Sequence, residues 1–368
     1  MKVICGKEEL TRGTQIVQSV ITPRSTLPIL ANFLFETEGN QIKMSSTDLE
    51  VGVICFIKGE VAEEGSITIP AKRFSELIRE LPADATVDIR VDAAHQITIK
   101  SGKSRFTLMG LPKADYPVLP KFPEEKTFTI QKAVLKTLLR STVFAVSNDE
   151  TRYVLNGVYL TTANGTIRFV STDGRRLALM SRDCVDKKIQ YGAIIPTKAI
   201  NEVQRIIAAD DSDGEVKIGI TENQIAFQLG AVTIISRLIE GTFPNYDQVI
   251  PKKHEVQVQL SVKETLSAVR QMTPLADDKS STVRFFFGKN ILRVSASAQG
   301  LGSGESEMDI DYSGGNIEIA FNPTFLIDIL KNIDDTHVLF NLTNALNPAL
   351  ITPVKDKNYL CVVMPMRL

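Results

Sequence analysis

The residues spaced for chemistry in this 368-residue chain are few. Gly102-Lys103-Ser104 matches the last three letters of a phosphate-cradling loop, in which backbone amides wrap a phosphate and the lysine reaches its outer oxygens. The first glycine of such a loop would fall at position 97, which is Ile, and the flanking residues alternate as a strand does. A turn between strands is the expected outcome. Gly300–Ser306, GLGSGES, lacks GxGxxG spacing and reads as a flexible loop. His95, His254 and His337 stand apart, with no His, Cys or carboxylate at metal-ligand spacing. Ser171–Arg176, STDGRR, sets serine beside aspartate without a base to activate the hydroxyl. Its Asp173-Gly174 pair predicts a polar turn after a strand. Cys5, Cys55, Cys184 and Cys361 form no CxxC pair and read as reduced, buried strand residues of a cytoplasmic protein. No catalytic group, metal or cofactor is expected.

The elements that carry these residues repeat. LANFLFETEGNQIKMSSTDLEVGVICF from Leu30, LNGVYLTTANGTIRFVSTDGRRLALMS from Leu155 and VRFFFGKNILRVSASAQGLGSGESEM from Val283 each alternate, turn and return as strands. Thr47-Asp48 and Thr172-Asp173 occupy matching places in the first two. SITIPAKRFSELIREL, GAIIPTKAINEVQRII and IEIAFNPTFLIDILKNI each read as strand, proline, amphipathic helix, with Pro70, Pro196 and Pro323 where a missing N–H costs nothing. Three further strand-like runs follow each helix. A helix opens each unit, so the order is helix, strands, helix, strands, three times over. Boundaries fall at 1–120, 127–250 and 251–368, with the Pro- and charge-rich stretches Asp115–Lys126 and Asn245–Glu255 as linkers. Strands without βαβ alternation imply antiparallel sheets and an α+β class.

Composition agrees with a folded, multidomain chain. It is 43% hydrophobic and 23% charged, and too long for one core. The longest apolar runs have strand length, which excludes a spanning helix, and MKVICGKEEL has no signal-peptide core. The net charge of −1 hides a segregation. The predicted helices, 7–20, 71–81, 131–141, 197–208, 261–271 and 323–332, hold 13 Lys and Arg against 7 Asp and Glu. The rest of the chain is correspondingly acidic. Surface helices favour Lys and Arg by propensity alone. Sharing one face, the six would instead present a field for a polyanion through non-specific phosphate contacts.

The tail Tyr359–Leu368, YLCVVMPMRL, is apolar to its last residue, where most chains end polar and frayed. The equivalent strands of the first two units run on into linkers; the third stops. Leu360 and Val362 read as strand packing. Met364, Met366 and Leu368 lie beyond the strand and read as binding surface.

Together TLPIL (Thr26–Leu30), RYVLNGVYL (Arg152–Leu160), STDGRRLA (Ser171–Ala178), FPNY (Phe243–Tyr246) and VVMPMRL (Val362–Leu368) closely resemble the bacterial DNA polymerase III beta subunit, the sliding clamp, in order along the whole chain. The resemblance implies three similarly folded clamp domains, each with two helices packed on antiparallel sheets. Two protomers would close head-to-tail into a ring lined by helices. Interface positions implied are Phe106 and Leu108 on one side and Met272 and Leu275 on the other, where the segment TPLADDKSS departs from the family pattern. Arg24, Lys72, Arg73, Arg152, Tyr153 and Lys198 match positions that touch encircled double-stranded DNA. Leu155, Thr172, Gly174, Arg175, Arg176, Leu177, Pro244, Val249, Val362, Val363, Met364, Pro365, Met366, Arg367 and Leu368 match a cleft. That cleft would receive a short peptide of the DNA polymerase III core, the clamp loader and other clamp-binding-motif proteins. Arg175 replaces a frequent His, and Gln248 and Pro348 occupy variable cleft-edge positions, which bears on partner preference. The resemblance implies a non-enzymatic, homodimeric processivity factor with no membrane association. The competing reading is a monomeric three-domain enzyme or adaptor on the same fold.

Overall fold

The computed structural model describes residues 1–21, 27–183, 186–210, 212–276, 282–300 and 302–367. Arg24, Cys184, Leu368 and positions 277–281 of the TPLADDKSS segment lie outside them. Six α-helices form, α1 (Lys7–Gln18), α2 (Ala71–Arg79), α3 (Lys132–Arg140), α4 (Thr197–Ala209), α5 (Val262–Met272) and α6 (Pro323–Lys331). Their causes are local. In α2 the buried residues Ala71, Phe74, Ser75 and Ile78 recur at helical spacing, leaving Lys72 and Arg73 exposed. Ser261 Oγ accepts from the Glu264 amide at the start of α5, and Asn322 Oδ1 accepts from Thr324 at the start of α6, with Pro323 as the first helical residue.

Two compact units result, residues 1–135 with 198–238 and residues 136–197 with 239–368. The first contains a five-stranded sheet in the order Glu60–Glu63, Lys2–Gly6, Thr86–Val91, Gln96–Ser101, Ser104–Met109. Its eight-stranded sheet joins two repeats, because Val51–Ile57 pairs antiparallel with Val232–Arg237, Gly52 opposite Ile235. The second unit has the same plan. Arg176–Asp183 pairs with Tyr359–Val363, Leu177 opposite Val362, inside another eight-stranded sheet. A four-stranded sheet runs Gly302–Asp309, Ile291–Ala298, Val283–Gly288, Ile317–Phe321.

Each repeat also has a strand ahead of its first helix, Lys2–Gly6, Thr127–Gln131 and Val256–Ser261, which the periodicity does not predict. Five or six residues running straight into a helix give alternation too few positions to register. The GLGSGES run is a second departure from expectation. Gly302–Asp309 is a strand paired along its length with Ile291–Ala298. Glycine weakens the strand signal, yet a Cβ on Gly304 would stand 2.7 Å from Leu275 Cδ1, so close approach requires it. Gly102-Lys103 is the expected turn, a two-residue hairpin with Gly102 at φ +55°.

After α6 the side chain of Asp335 is only 3% exposed and accepts from the amides of Lys355 at 2.8 Å and Thr336 at 2.7 Å. Burial alone would raise its pKa; backbone N–H groups of Lys355, Thr336 and His337 outweigh that and hold it below the usual carboxylate range. A lowered folded-state pKa stabilises above the unfolded value, about 4, and that stability is lost as pH falls through the folded value. Asp335→Asn should therefore melt below the parent at neutral pH. The two Tm values should converge on acidification below about pH 4. Parallel melts across that range check it; a constant gap would contradict it.

Candidate functional site

In the second unit the turn from Thr172 to Arg176 is built by its own polar side chains. Thr172 Oγ1 donates to the Arg176 carbonyl at 2.6 Å and accepts from the Gly174 amide at 3.0 Å. Asp173 Oδ1 accepts from the amides of Arg175 and Arg176 at 2.8 and 3.0 Å. Gly174 has φ +85°, a region glycine reaches without steric cost, and a Cβ there would stand 2.9 Å from Arg152 Nη1. The same residue types build Thr47–Val51 in the first unit with the same four hydrogen bonds, so the repeat holds at atomic detail.

Behind the turn, Leu155, Leu177, Phe243 and Val362 are buried in one cluster. The start of the linker and the residue Phe243 ahead of it are pinned to this cluster. Phe243 stacks on Tyr159 with centroids 4.8 Å apart, and Arg168 Nη1 donates to Tyr246 Oη at 3.2 Å. Tyr359–Val363 is held between two strands, and the Met364 amide donates to the Arg175 carbonyl at 2.8 Å. The tail is then tied once more, Met366 N to Ala320 O at 2.7 Å. Met364 is 41% exposed and Val249 47% exposed. They share a groove of about 360 Å³ with Gln248, Ile250, Asn347 and Pro348. The adjoining loop exposes Leu346, 76% accessible, which the sequence reading missed; an apolar residue between Asn344 and Asn347 was its only local signal.

The predicted cleft residues thus separate by depth. Leu155, Leu177 and Val362 are buried together and form floor, while Val363, also buried, lies on the other face of the sheet. Gly174, Arg175, Pro244, Val249, Met364 and Arg367 are exposed, and Thr172, Pro365 and Met366 are half-buried. Arg176 faces away from solvent. Its Nε bonds Asp173 at 3.0 Å, its Nη1 bonds Asp328 at 2.6 Å and its Nη2 donates to the Phe144 carbonyl at 2.7 Å. The guanidinium also lies 4.6 Å from the Phe325 ring centroid. It ties the turn to α6 instead of presenting charge to the groove.

The predicted DNA-contact residues are placed as follows. In the first unit Lys72 and Arg73 are exposed on α2, and Lys198 at the start of α4 pairs with Asp48. In the second, Tyr153 is 58% exposed, while Arg152 bonds Asp149 and donates to the Asp173 carbonyl, both at 2.9 Å. Among the described residues Lys72, Arg73, Lys136, Lys263 and Arg270 have no ion-pair partner, so their charge is available. Of the interface candidates, Phe106 and Leu108 are half-buried on the open strand Ser104–Met109. Leu275 is half-buried near Gly304, and Met272 is buried beneath the same glycine, 6% exposed.

The described thiols are not activated. Cys5, Cys55 and Cys361 are free and buried, and burial pushes their thiols up to about 12, 11 and 12. Glu264, Asp309, Asp311 and His337 line one groove, a convergence the sequence spacing does not reveal. Among the described residues no group of His, Cys, Asp and Glu is placed to hold a metal ion, and no helix is long and apolar enough to cross a membrane.

Three family models match the chain in succession. They are the DNA polymerase III beta subunit N-terminal domain at residues 1–120, its central domain at 129–245 and its C-terminal domain at 247–367. The beta sliding clamp of Chlamydia muridarum is 36% identical, covering 100% of this chain and 99% of that protein. That of Escherichia coli K12 is 31% identical, covering 100% of both. Among solved structures, the Pseudomonas aeruginosa sliding clamp bound to griselimycin superposes with a TM-score of 0.96 at 34% identity, over 100% of both chains. The Bacillus subtilis clamp does so with a TM-score of 0.96 at 29% identity, over 100% of this chain and 99% of that one.

Proposed function

The chain belongs to the DNA polymerase III beta subunit family, and from that premise we infer that it is a DNA sliding clamp. It is a non-enzymatic processivity factor. Two copies form a ring around duplex DNA and tether a polymerase that would otherwise dissociate.

The observation that carries this reading is the pair of incomplete sheets. At both internal junctions the last strand of one repeat pairs with the fourth of the repeat before it, Val232–Arg237 with Val51–Ile57 and Tyr359–Val363 with Arg176–Asp183. By the same rule Ser104–Met109 and Gly302–Asp309 are each missing a partner. An open edge invites pairing with another chain. A second copy placed head-to-tail supplies both partners, and such a heterologous contact closes when the rotation allows. The edges differ in charge, with Arg105 on one and, on the other, Asp309 together with Glu305 and Glu307, which share Arg293. Phe106, Leu108 and Leu275 add apolar area at this contact.

Within the ring the three domains span 1–120, 127–250 and 251–368. Arg24, Lys72, Arg73, Arg152, Tyr153 and Lys198 touch phosphates weakly and without base readout, which permits sliding. The groove at Val249 and Met364 receives short peptides of the DNA polymerase III core, the clamp loader and other partners. Its exposed methionine adapts to different side chains. The protein works in the cytoplasm.

The test is topological. The loaded protein should stay on nicked circular DNA at moderate salt and be released when the circle is linearised. Retention unaffected by linearisation would refute encirclement. The contacts have a separate readout. Removing charge at Arg24 and Lys198 together should lower the salt slope of DNA association by up to about four phosphate equivalents, two from each copy; a parental slope would count against these positions.

A further inference from the structure

The first unit carries a groove in the position that corresponds to the cleft of the second. It has a volume of about 280 Å³ and is lined by Leu49, Glu50, Val118, Leu119, Ile235 and Arg237, among others. The strand registers make the correspondence residue by residue. Gly52 faces Ile235 as Leu177 faces Val362, so Ile235 stands for Val362 and Arg237 for Met364. The turn ahead of each groove has the same hydrogen bonds.

Two differences keep this groove in being. Gly52 has no side chain to form the floor that Leu177 provides, and the linker's Leu119 takes its place, close enough that a Cβ on Gly52 would collide with Leu119 Cδ2. Leu49 occupies the position of Gly174. It is not a glycine, yet it holds φ +79° with its side chain 47% exposed. A left-handed conformation is sterically unfavourable for leucine, and no burial compensates. Val118, on the linker, is 96% exposed. Arg237 lies at the rim, exposed and without an ion-pair partner among the described residues. Glu50 stands nearby in the place of Arg175.

We propose that this groove is a second docking site, for a short peptide with an apolar pair next to a carboxylate. The apolar pair lies on Leu119 and Ile235 between Leu49 and Val118, and the carboxylate meets Arg237. Glu50 disfavours a second acid at the opposite end. The class of occupant rests on reading the second unit's groove as a peptide cleft; the groove and its unpaired arginine do not.

The test uses the full chain, labelled at leucine, isoleucine and valine methyls, with the acetylated peptides GLLDDG and GLLKKG as probes. GLLDDG should shift the Leu49, Leu119 and Ile235 methyls saturably, and GLLKKG should bind there about tenfold more weakly. Arg237→Glu should reverse that order. Leu49→Gly should raise Tm by relieving the strained turn and still weaken GLLDDG, a combination that a purely structural leucine would not produce. Absence of saturable shifts at these methyls, or shifts indifferent to Arg237→Glu, would overturn the proposal. Saturation at Leu49 and Leu119 with none at Leu177 and Val362 would uphold it and remove the reading of the second unit's cleft. The converse would remove this site alone.

Discussion

Deleting Pro365–Leu368 should lower the affinity of a polymerase-derived peptide about a hundredfold while the dimer sediments unchanged. The strand before the deletion is secured independently. Tyr359–Val363 pairs on both sides, and Val362 and Val363 are 2% and 0% exposed. The fold therefore keeps its sheet. What goes is the Met366–Ala320 bond that fixes the course of the tail, together with the half-buried Pro365 and Met366, proposed as one wall of the cleft. Met364 remains but loses the chain that orients it. A short peptide bound at micromolar affinity has about −8 kcal/mol in total. Losing two apolar contacts at ~1.5 kcal/mol each removes about 3 kcal/mol, a factor of about a hundred. Fluorescence anisotropy with the labelled peptide measures it, and an unchanged Kd would show that the tail is not part of the cleft.

Replacing Arg176 with alanine should lower thermal stability by several degrees and loosen the unit that holds the cleft. The arginine's side chain is 11% exposed and makes three charge-assisted bonds, two of them to Asp173 and Asp328, whose side chains are 17% and 30% exposed. Alanine leaves two partly buried carboxylates and the Phe144 carbonyl without this donor. Removing one partner of a buried pair costs about 3–5 kcal/mol, and partial exposure of Asp328 places this case toward the lower end. Arg176→Lys should recover only part of the loss, because an ammonium cannot reproduce the planar fork that reaches three acceptors and stacks on Phe325. Thermal melts of the two variants decide the matter. A lysine variant equal to the parent would mean that charge alone suffices.

The contrast between these residues shows what was legible in advance. Helix positions, the STDGRR turn and the three-fold repeat depend on neighbours a few residues apart. Periodicity and turn chemistry therefore reveal them directly. The strand Tyr359–Val363 also follows from comparing repeats. Arg176 is different. The resemblance counts it among the cleft residues, but its partner Asp328 is 152 residues away. No local pattern encodes which way such a side chain turns. The strand Gly302–Asp309 likewise depends on a neighbouring strand and on Leu275 beneath Gly304.

The cleft residues follow from the resemblance of the motifs to a known family; by itself the amino-acid order determined the repeat, the α+β class and the charge surplus on the helices. Those properties follow from short-range sterics and from the partition of apolar and polar side chains. Only the tertiary structure decided which of those residues are floor, rim or brace, and which strand edges remain unpaired. Depth and hydrogen-bond partnership are set by segments distant in the chain, and the sheets bring them together only when the whole chain has folded.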